Sequence, residues 1–375
     1  MSLSFSIDAV DGVARAGLVK TAHGNFCTPA FMPVGTVGTV KAMTPEGLST
    51  AGAEIVLSNT YHLMLRPGPD IVNHLGGLGK MMGWPGPVLT DSGGFQVMSL
   101  AKLRKVTENG VTFKSHIDGT EYFLSPEVSI AVQEKLDSTI SMVLDECIPY
   151  PSSKGAAEKS MKLSMVWASR SRSEFKQRPG YGLFGIVQGG IYSDLRSESV
   201  TRLLELGFDG YAIGGLAVGE ASSVLYKVTR FTAGLLPAHK PRYLMGVGKP
   251  EDLVEAISAG CDMFDCVLPT RSGRTGQAFT RRGVVNIRNS RHKADRRPLD
   301  ELCKCPTCSS YSRGYLHHLV RSNEILGSML MTWHNIHYYQ SLMMSSRAYI
   351  LRGEFDKFRS NFEQLRSMGD IDPII

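Results

Sequence analysis

Short apolar runs recur along this chain, with helix-like segments between most of them. They are AFMPVG from residue 30, AEIVLSNT from 53, GPVLTDSGG from 86, STISMVLDE from 138, YGLFGIVQGG from 181, GYAIGGL from 210, RYLMGVG from 242 and CDMFDCVLP from 261. Such runs fit strands buried on both faces, as in a parallel sheet covered by helices. Between them, SPEVSIAVQEKL, KGAAEKSMKLSMVWASRSRSEFKQ, SDLRSESVTRLLELG and KPEDLVEAISAG read as helices, several opening on Ser, Asp or Pro and closing at Gly. Eight strands alternating with helices predict an α/β fold, a (β/α)8 TIM barrel, and the span 31–276 is near the roughly 250 residues typical of that architecture. The rival is an open doubly wound sheet. No G-x-G-x-x-G follows the first run, which counts against it.

Three segments depart from this rhythm. Residues 1–30 contain FSIDAV and ARAGLVKTA and predict N-terminal β-hairpin elements. Residues 104–124 carry two hairpin turn signals, Asn109-Gly110 and Asp118-Gly119, and predict a β-ribbon insertion. After 276 the pattern changes, giving an expected zinc-binding subdomain over 277–345 and a C-terminal helix packed on the barrel over 346–375. With 42% hydrophobic residues the chain can bury a large core, and no window approaches the ~20 apolar residues of a membrane span. The start lacks the basic region of a signal peptide, and seven unevenly spaced cysteines make a poor disulfide framework. A cytoplasmic enzyme is the expectation. The net charge of +6 is mild, but Arg and Lys concentrate between 270 and 298. A basic block of that kind is either a solvated face or a nucleic-acid contact.

In a barrel of this class, chemistry sits where strands end and βα loops begin. The residues closing the apolar runs are Asp91, Asp145 with Cys147, Gln188, the Gly214-Gly215 backbone, Met245 and Asp265. Each alone reads equally as a helix cap. Together they place carboxylates, an amide and glycines on one face. Two carboxylates suit a nucleophile and an acid/base. A further carboxylate with a carboxamide can read the polar edge of a heterocycle, with glycines letting a flat ligand reach the backbone. Phe95 could stack on such a ring or simply pack in the core. Asp265 is followed at once by CVLPTRSGRTG, a loop with two arginines and two glycines suited to holding phosphate.

The run CKCPTC supplies Cys303, Cys305 and Cys308, with His317, His318, His334 and His337 as candidate fourth ligands. Three thiolates and one imidazole make a closed tetrahedral zinc site of the structural type. The intervening GYLHHLVRSNEILGSMLM is expected to form a helix that folds back to present His334.

LTDSGGFQ, VLDEC, IVQGG, IGGLAVGE, LMGVG, MFDCVLPTRSGRTGQAFT and the Cys cluster, in this order, resemble one family, the tRNA-guanine transglycosylases. The resemblance implies exchange of the wobble guanine in tRNAs with a U-G-U anticodon context, in a homodimer with one structural Zn2+ per chain and no redox or nucleotide cofactor. It implies Asp265 as nucleophile and Asp91 as acid/base. Ser92, Phe95, Asp145, Cys147, Gln188, Gly215, Leu216, Val218, Glu220 and Met245 would line the base pocket. Lys249, Val267, Arg271 and Arg274 would face tRNA, and the zinc ligands would be Cys303, Cys305, Cys308 and His334. Tyr311, Tyr315 and His318 are candidates for the dimer interface. Relatives that insert queuine resemble this chain but carry Gly where Val218 stands. That implies 7-aminomethyl-7-deazaguanine (preQ1) as the incoming base here, with guanine leaving. The competing readings are a glycoside-cleaving barrel using the same two acids and a non-catalytic tRNA-binding relative, which would lack those acids.

Overall fold

The structure, a computed structural model, describes residues 2–100 and 104–373. Residues 101–103, within the expected barrel span, and Met1, Ile374 and Ile375, at the ends of the expected terminal segments, lie outside it. All eight apolar runs form strands: β4 (Ala30–Met32), β5 (Val56–Ser58), β6 (Val88–Thr90), β10 (Ile140–Met142), β11 (Gly182–Val187), β12 (Gly210–Ile213), β13 (Arg242–Leu244) and β14 (Met263–Asp265). They pair in parallel in the order β4-β14-β13-β12-β11-β10-β6-β5. The two ends then meet: Val34 bridges Leu57 in parallel, with Leu57 N donating to Pro33 O and Gly35 N to Leu57 O. This closure makes the sheet a barrel and disposes of the open-sheet rival.

The helices that follow these strands are α1 (Pro45–Thr50), α2 (Thr60–Leu65), α3 (Pro69–His74), α4 (Gly77–Met82), α5 (Gly94–Leu100), α6 (Pro126–Lys135), α7 (Lys154–Glu174), α8 (Ser193–Leu206), α9 (Ser222–Leu235), α10 (Pro250–Ser258) and α11 (Leu268–Arg274). Their starts follow cap chemistry. Ser125, Ser153 and Thr44 each accept an N–H from the first turn, and Pro stands at the opening of α1, α6 and α10.

β1 (Ser4–Asp11), β2 (Ala14–Thr21) and β3 (Gly24–Thr28) form an antiparallel sheet outside the barrel. A buried ion pair fastens it: Arg15 Nε donates to Asp262 Oδ1 at 2.9 Å, its Nη2 to Asp262 Oδ2, and Arg242 N reaches the same carboxylate at 2.7 Å. The ribbon comprises β7 (Arg104–Thr107), β8 (Gly110–Lys114) and β9 (Glu121–Leu124). Its first turn is centred on Glu108-Asn109, one residue before the expected Asn-Gly, because Gly110 pairs with Thr107 as the first residue of β8.

Beyond the barrel come the hairpin β15 (Gln277–Thr280) and β16 (Gly283–Asn286), then α12 (Pro306–Ser310), α13 (Arg313–Arg321), α14 (Ile325–Leu351) and α15 (Phe355–Ser367). Two expectations change here. The segment leading to His334 is not one helix: α13 and α14 are separated at Ser322–Glu324, where Asn323 takes φ 56°. The division expected at 345/346 falls inside α14, which runs unbroken through it. The helix has good reason to be continuous, since its far half packs on the barrel. Gln340 Nε2 donates to Phe31 O at 3.0 Å, and Arg347 reaches the carbonyls of Gly17 and Thr28. α15 docks on α10 through Arg359–Glu255 and Arg366–Glu251.

Removing one partner of a buried ion pair leaves the other charge uncompensated. Asp262→Ala should therefore destabilise the fold by about 3–5 kcal/mol, read as a lower denaturant midpoint. An unchanged midpoint would show that this pair does not fasten the N-terminal sheet.

Candidate active site and metal centre

The C-terminal ends of the barrel strands carry the polar residues that the sequence singles out. Asp91 follows β6, Asp145 lies just beyond β10, Gln188 follows β11, Gly214 and Gly215 follow β12, Met245 follows β13, and Asp265 ends β14. Strand direction alone puts all of them at one mouth.

Asp91 and Asp265 are held differently. Both oxygens of Asp91 are occupied: Thr60 N donates to Oδ1 at 2.8 Å, while Asn59 and Gln96 amides donate to Oδ2, the latter at 2.8 Å. Burial pushes its carboxyl up to about 6, against the pull of those three donors; the charge of Asp265 adds to the upward push. The two acids stand at the ends of barrel strands that open at the same mouth. On Asp265 a single oxygen is occupied: Oδ1 accepts from Tyr243 Oη at 2.6 Å and from Gly246 N at 2.8 Å. Among the described residues no donor reaches Oδ2. Burial raises this carboxyl as well, with the two donors opposing.

Asp145 and Gln188 form a second, linked pair. Gln188 Nε2 donates to Asp145 Oδ2 at 2.7 Å, and Ser92 Oγ donates to Oδ1 at 3.3 Å. All three side chains are buried, and burial pushes Asp145 up to about 6. A side chain on Gly215 would meet Gln188 Oε1 at 2.4 Å, so only glycine keeps this wall flat. Leu216 is buried beside it. Val218 is half-buried on a loop pinned by Glu220, whose carboxylate accepts Ala217 N at 2.6 Å and Val218 N at 3.0 Å. Cys147 is half-buried, and burial, then the charge of Asp145, pushes its thiol up to about 12, so it is no thiolate nucleophile. Phe95 is 52% exposed on α5, which excludes the core-packing alternative for it. The side chains of Phe95 and Met245 enter none of these hydrogen bonds.

The arginine segment corrects the sequence reading. It is not a phosphate-cradling loop but the helix α11. Gly273 is there for packing: a Cβ on it would lie 2.7 Å from the Thr332 Cα of α14. Arg271 is exposed, while Arg274 is half-buried with Nη1 on Thr270 O at 2.9 Å. Lys249, exposed at the start of α10, and Val267, half-buried before α11, complete this rim.

Several residues of the site escape a reading of strand ends. Asn59 and Thr60 close the apolar run before that of Asp91, and Gln96 lies in LTDSGGFQ, so both carried a signal. Tyr243 and Arg196 carried none: one is an ordinary strand aromatic, the other one helix cation among many. Arg196 is fully buried behind the Gly215 wall, donating to Gly190 O and Val187 O.

In the metal centre, His334 Nδ1 lies 3.7, 3.5 and 3.3 Å from the sulfurs of Cys303, Cys305 and Cys308. The four ligand atoms fall within 4.8 Å of one another. Tetrahedral bonds of about 2.3 Å to sulfur and 2.0–2.1 Å to nitrogen put S and N about 3.6 Å apart, so the cluster fits one metal ion. His334 Nε2 lies 2.8 Å from Phe279 O and donates to it, which leaves the Nδ1 lone pair facing the thiols. Of the four candidate histidines, geometry selects His334.

The family model described as Queuine tRNA-ribosyltransferase matches residues 10–368. Proteins of that name from Cereibacter sphaeroides and a Ruegeria species are 58% and 57% identical to this chain over 371 residues, covering 99% of each chain. One from Rickettsia typhi is 58% identical over 94% of this chain and 98% of its own length. This match, over a closed parallel barrel with acids at its mouth, makes the chain a transferase of the tRNA-guanine transglycosylase class. The chain belongs to the queuine tRNA-ribosyltransferase family. No helix among the described residues is long and apolar enough to cross a membrane.

Cys305→Ala should lower bound metal, measured by elemental analysis, from one equivalent per chain and reduce thermal stability with it. A metal-free variant of full stability would contradict a structural role.

Proposed function

We propose that this chain exchanges the wobble guanine of tRNAs with a U-G-U anticodon context for preQ1, by two displacements at the ribose. The observation that carries this reading is the pair of unlike acids: Asp265 has both donors on Oδ1 and none on Oδ2, whereas Asp91 has a donor on each oxygen and a lone pair left on Oδ1 to take a proton. In the first displacement Asp265 Oδ2 attacks C1′ of the target nucleotide. The C1′–N9 bond breaks, its electron pair goes to N9 of guanine, and guanine departs after N9 takes a proton from solvent. The ribose is left as an ester of Asp265. In the second, preQ1 loses its N9 proton to the Asp91 carboxylate, N9 attacks C1′, and the C1′–Oδ2 pair returns to Asp265. Two inversions give net retention.

The rest of the mouth has matching roles. Asp145 would accept the ring and exocyclic N–H groups of a guanine-like base, while Gln188 and the Gly215 backbone address its carbonyl edge. Phe95, exposed at the rim, would stack on it, and the target base must leave its own stack to enter. Lys249, Arg271 and Arg274 would hold the neighbouring phosphates, with Val267 against the strand; such contacts position without reading sequence. Zn2+ at Cys303, Cys305, Cys308 and His334 would brace the fold rather than act on substrate. A homodimer is expected, and Tyr311 and Tyr315, stacked with centroids 5.5 Å apart beside the metal centre, suit its interface together with His318.

Incubation with labelled guanine and unmodified tRNA tests the activity directly. Asp265→Asn should abolish both exchange and the denaturation-resistant RNA–protein adduct; an adduct of undiminished yield would sink the assignment. Asp91 must be ionised to accept a proton, so kcat/KM should fall as pH drops through about 6. A profile flat down to the ordinary carboxylate range would rule out Asp91 as the base.

The choice of base rests on Val218. The cavity lined by Gly215, Leu216, Val218 and Glu220 has a volume of only ≈ 20 Å³. That is room for about one water, so a cyclopentene diol would need the loop to move. Glu220 ties that loop down through two backbone N–H groups. The relatives are named for queuine; the pocket of the present chain favours the smaller base. Val218→Gly should raise the queuine-to-preQ1 ratio of catalytic efficiencies by roughly ten- to a hundred-fold. Equal use of both bases by the unaltered enzyme would overturn this choice of base.

A further inference from the structure

Asp265 has two oxygens in opposite circumstances. Oδ1 faces two donors, Tyr243 Oη at 2.6 Å and Gly246 N at 2.8 Å, and Oδ2 faces none among the described residues. The donors are rigid. Tyr243 is 1% exposed and lies on β13, paired directly with Met263 of β14, so neighbouring strands of one sheet fix the distance between phenol and carboxylate. We propose that Tyr243 and the Gly246 N–H serve chiefly to make Asp265 a good leaving group in the second displacement, by donating to the carbonyl oxygen of its ribosyl ester. This rests on the double-displacement reading above and assigns its two halves different demands.

The charge on Asp265 changes through the two displacements. When Oδ2 bonds to C1′, Oδ1 becomes the carbonyl oxygen of a neutral ester. It still faces both donors, but a neutral carbonyl accepts more weakly than a carboxylate. When the C1′–Oδ2 bond breaks, its electron pair returns to Asp265 and the charge is shared with Oδ1, where two donors already stand. Donors fixed where charge develops lower the barrier without reorganising. The same donors stabilise the free carboxylate more than the ester. They therefore keep the covalent intermediate from becoming a sink and slightly restrain its formation. Burial, and then the adjacent Asp265 charge, raise the Tyr243 phenol well above its ordinary value, so it remains a protonated donor throughout. Asp91, with both oxygens engaged, has no such division.

The sign of the effect separates this role from simple support of the nucleophile. The test uses the full chain with unmodified tRNA and guanine at alkaline pH, where Asp265 stays ionised. It reads the fraction of enzyme held as adduct at equilibrium and the decay of isolated adduct on adding guanine. Tyr243→Phe should raise the adduct fraction and slow its decay by roughly ten- to a hundred-fold, the worth of one hydrogen bond to a charged group. 3-Fluorotyrosine incorporated at position 243, a stronger donor of nearly the same shape, should do the reverse, and it decides the matter if the Phe variant does not fold. Less adduct in Tyr243→Phe, or decay at the unaltered rate in both variants, would overturn the proposal while leaving the nucleophile in place. Absence of adduct in the unaltered enzyme would instead defeat the double-displacement reading itself.

Discussion

Asn335 is the joint on which the two halves of the molecule depend. Fully buried on α14, its amide donates to the carbonyls of Pro269 and Gln277 at 2.9 Å each and accepts Phe279 N at 2.9 Å. It thereby ties the first turn of α11 to β15, and a buried polar group left unpaired in such a joint costs about 1–3 kcal/mol. The preceding residue is His334 of the metal centre, and Tyr339, Gln340 and Arg347 along the same helix bond to the barrel and the N-terminal sheet. One helix thus ties the Cys–His cluster, the arginine helix, β4 of the barrel and the N-terminal sheet together. Distortion at the cluster has a direct route to the segment that follows Asp265.

Buried carboxylates receive two treatments in this fold. Asp262, away from the mouth, meets the guanidinium of Arg15 and is a fixed ion pair. Asp91, Asp145 and Asp265 at the mouth meet amides, hydroxyls and backbone N–H groups instead. Neutral donors orient a carboxylate without fully offsetting its desolvation, so its proton affinity is left raised. That suits groups whose task is to gain and lose charge.

The basic block has a mixed fate. Arg281 pairs with Asp300 and Arg297 with Asp295 within their own segment, while Arg291 and Arg313 pair with Asp370 and strap the C-terminal segment to it. Arg271 and Arg274 take no such partners among the described residues.

Much of this was legible beforehand because strand periodicity and strand direction are local properties. Eight apolar runs forced buried parallel strands, and the polar residues closing them had to emerge at one end. The Cys303–Cys308 spacing likewise announced a metal site. The sequence by itself determined which side chains stand at the mouth and which thiols meet. Only the tertiary structure decided how each is held. Whether Asp91 or Asp265 keeps a free oxygen depends on Gln96 nearby and on Asn59, Thr60, Tyr243 and Gly246, which arrive from other strands and loops. The selection of His334, the helical form of the arginine segment and the unbroken run of α14 through residue 345 were also settled by packing. Hydrogen bonds and close approaches between segments far apart in the chain leave no periodic trace in it, and these are what set the chemistry of the site.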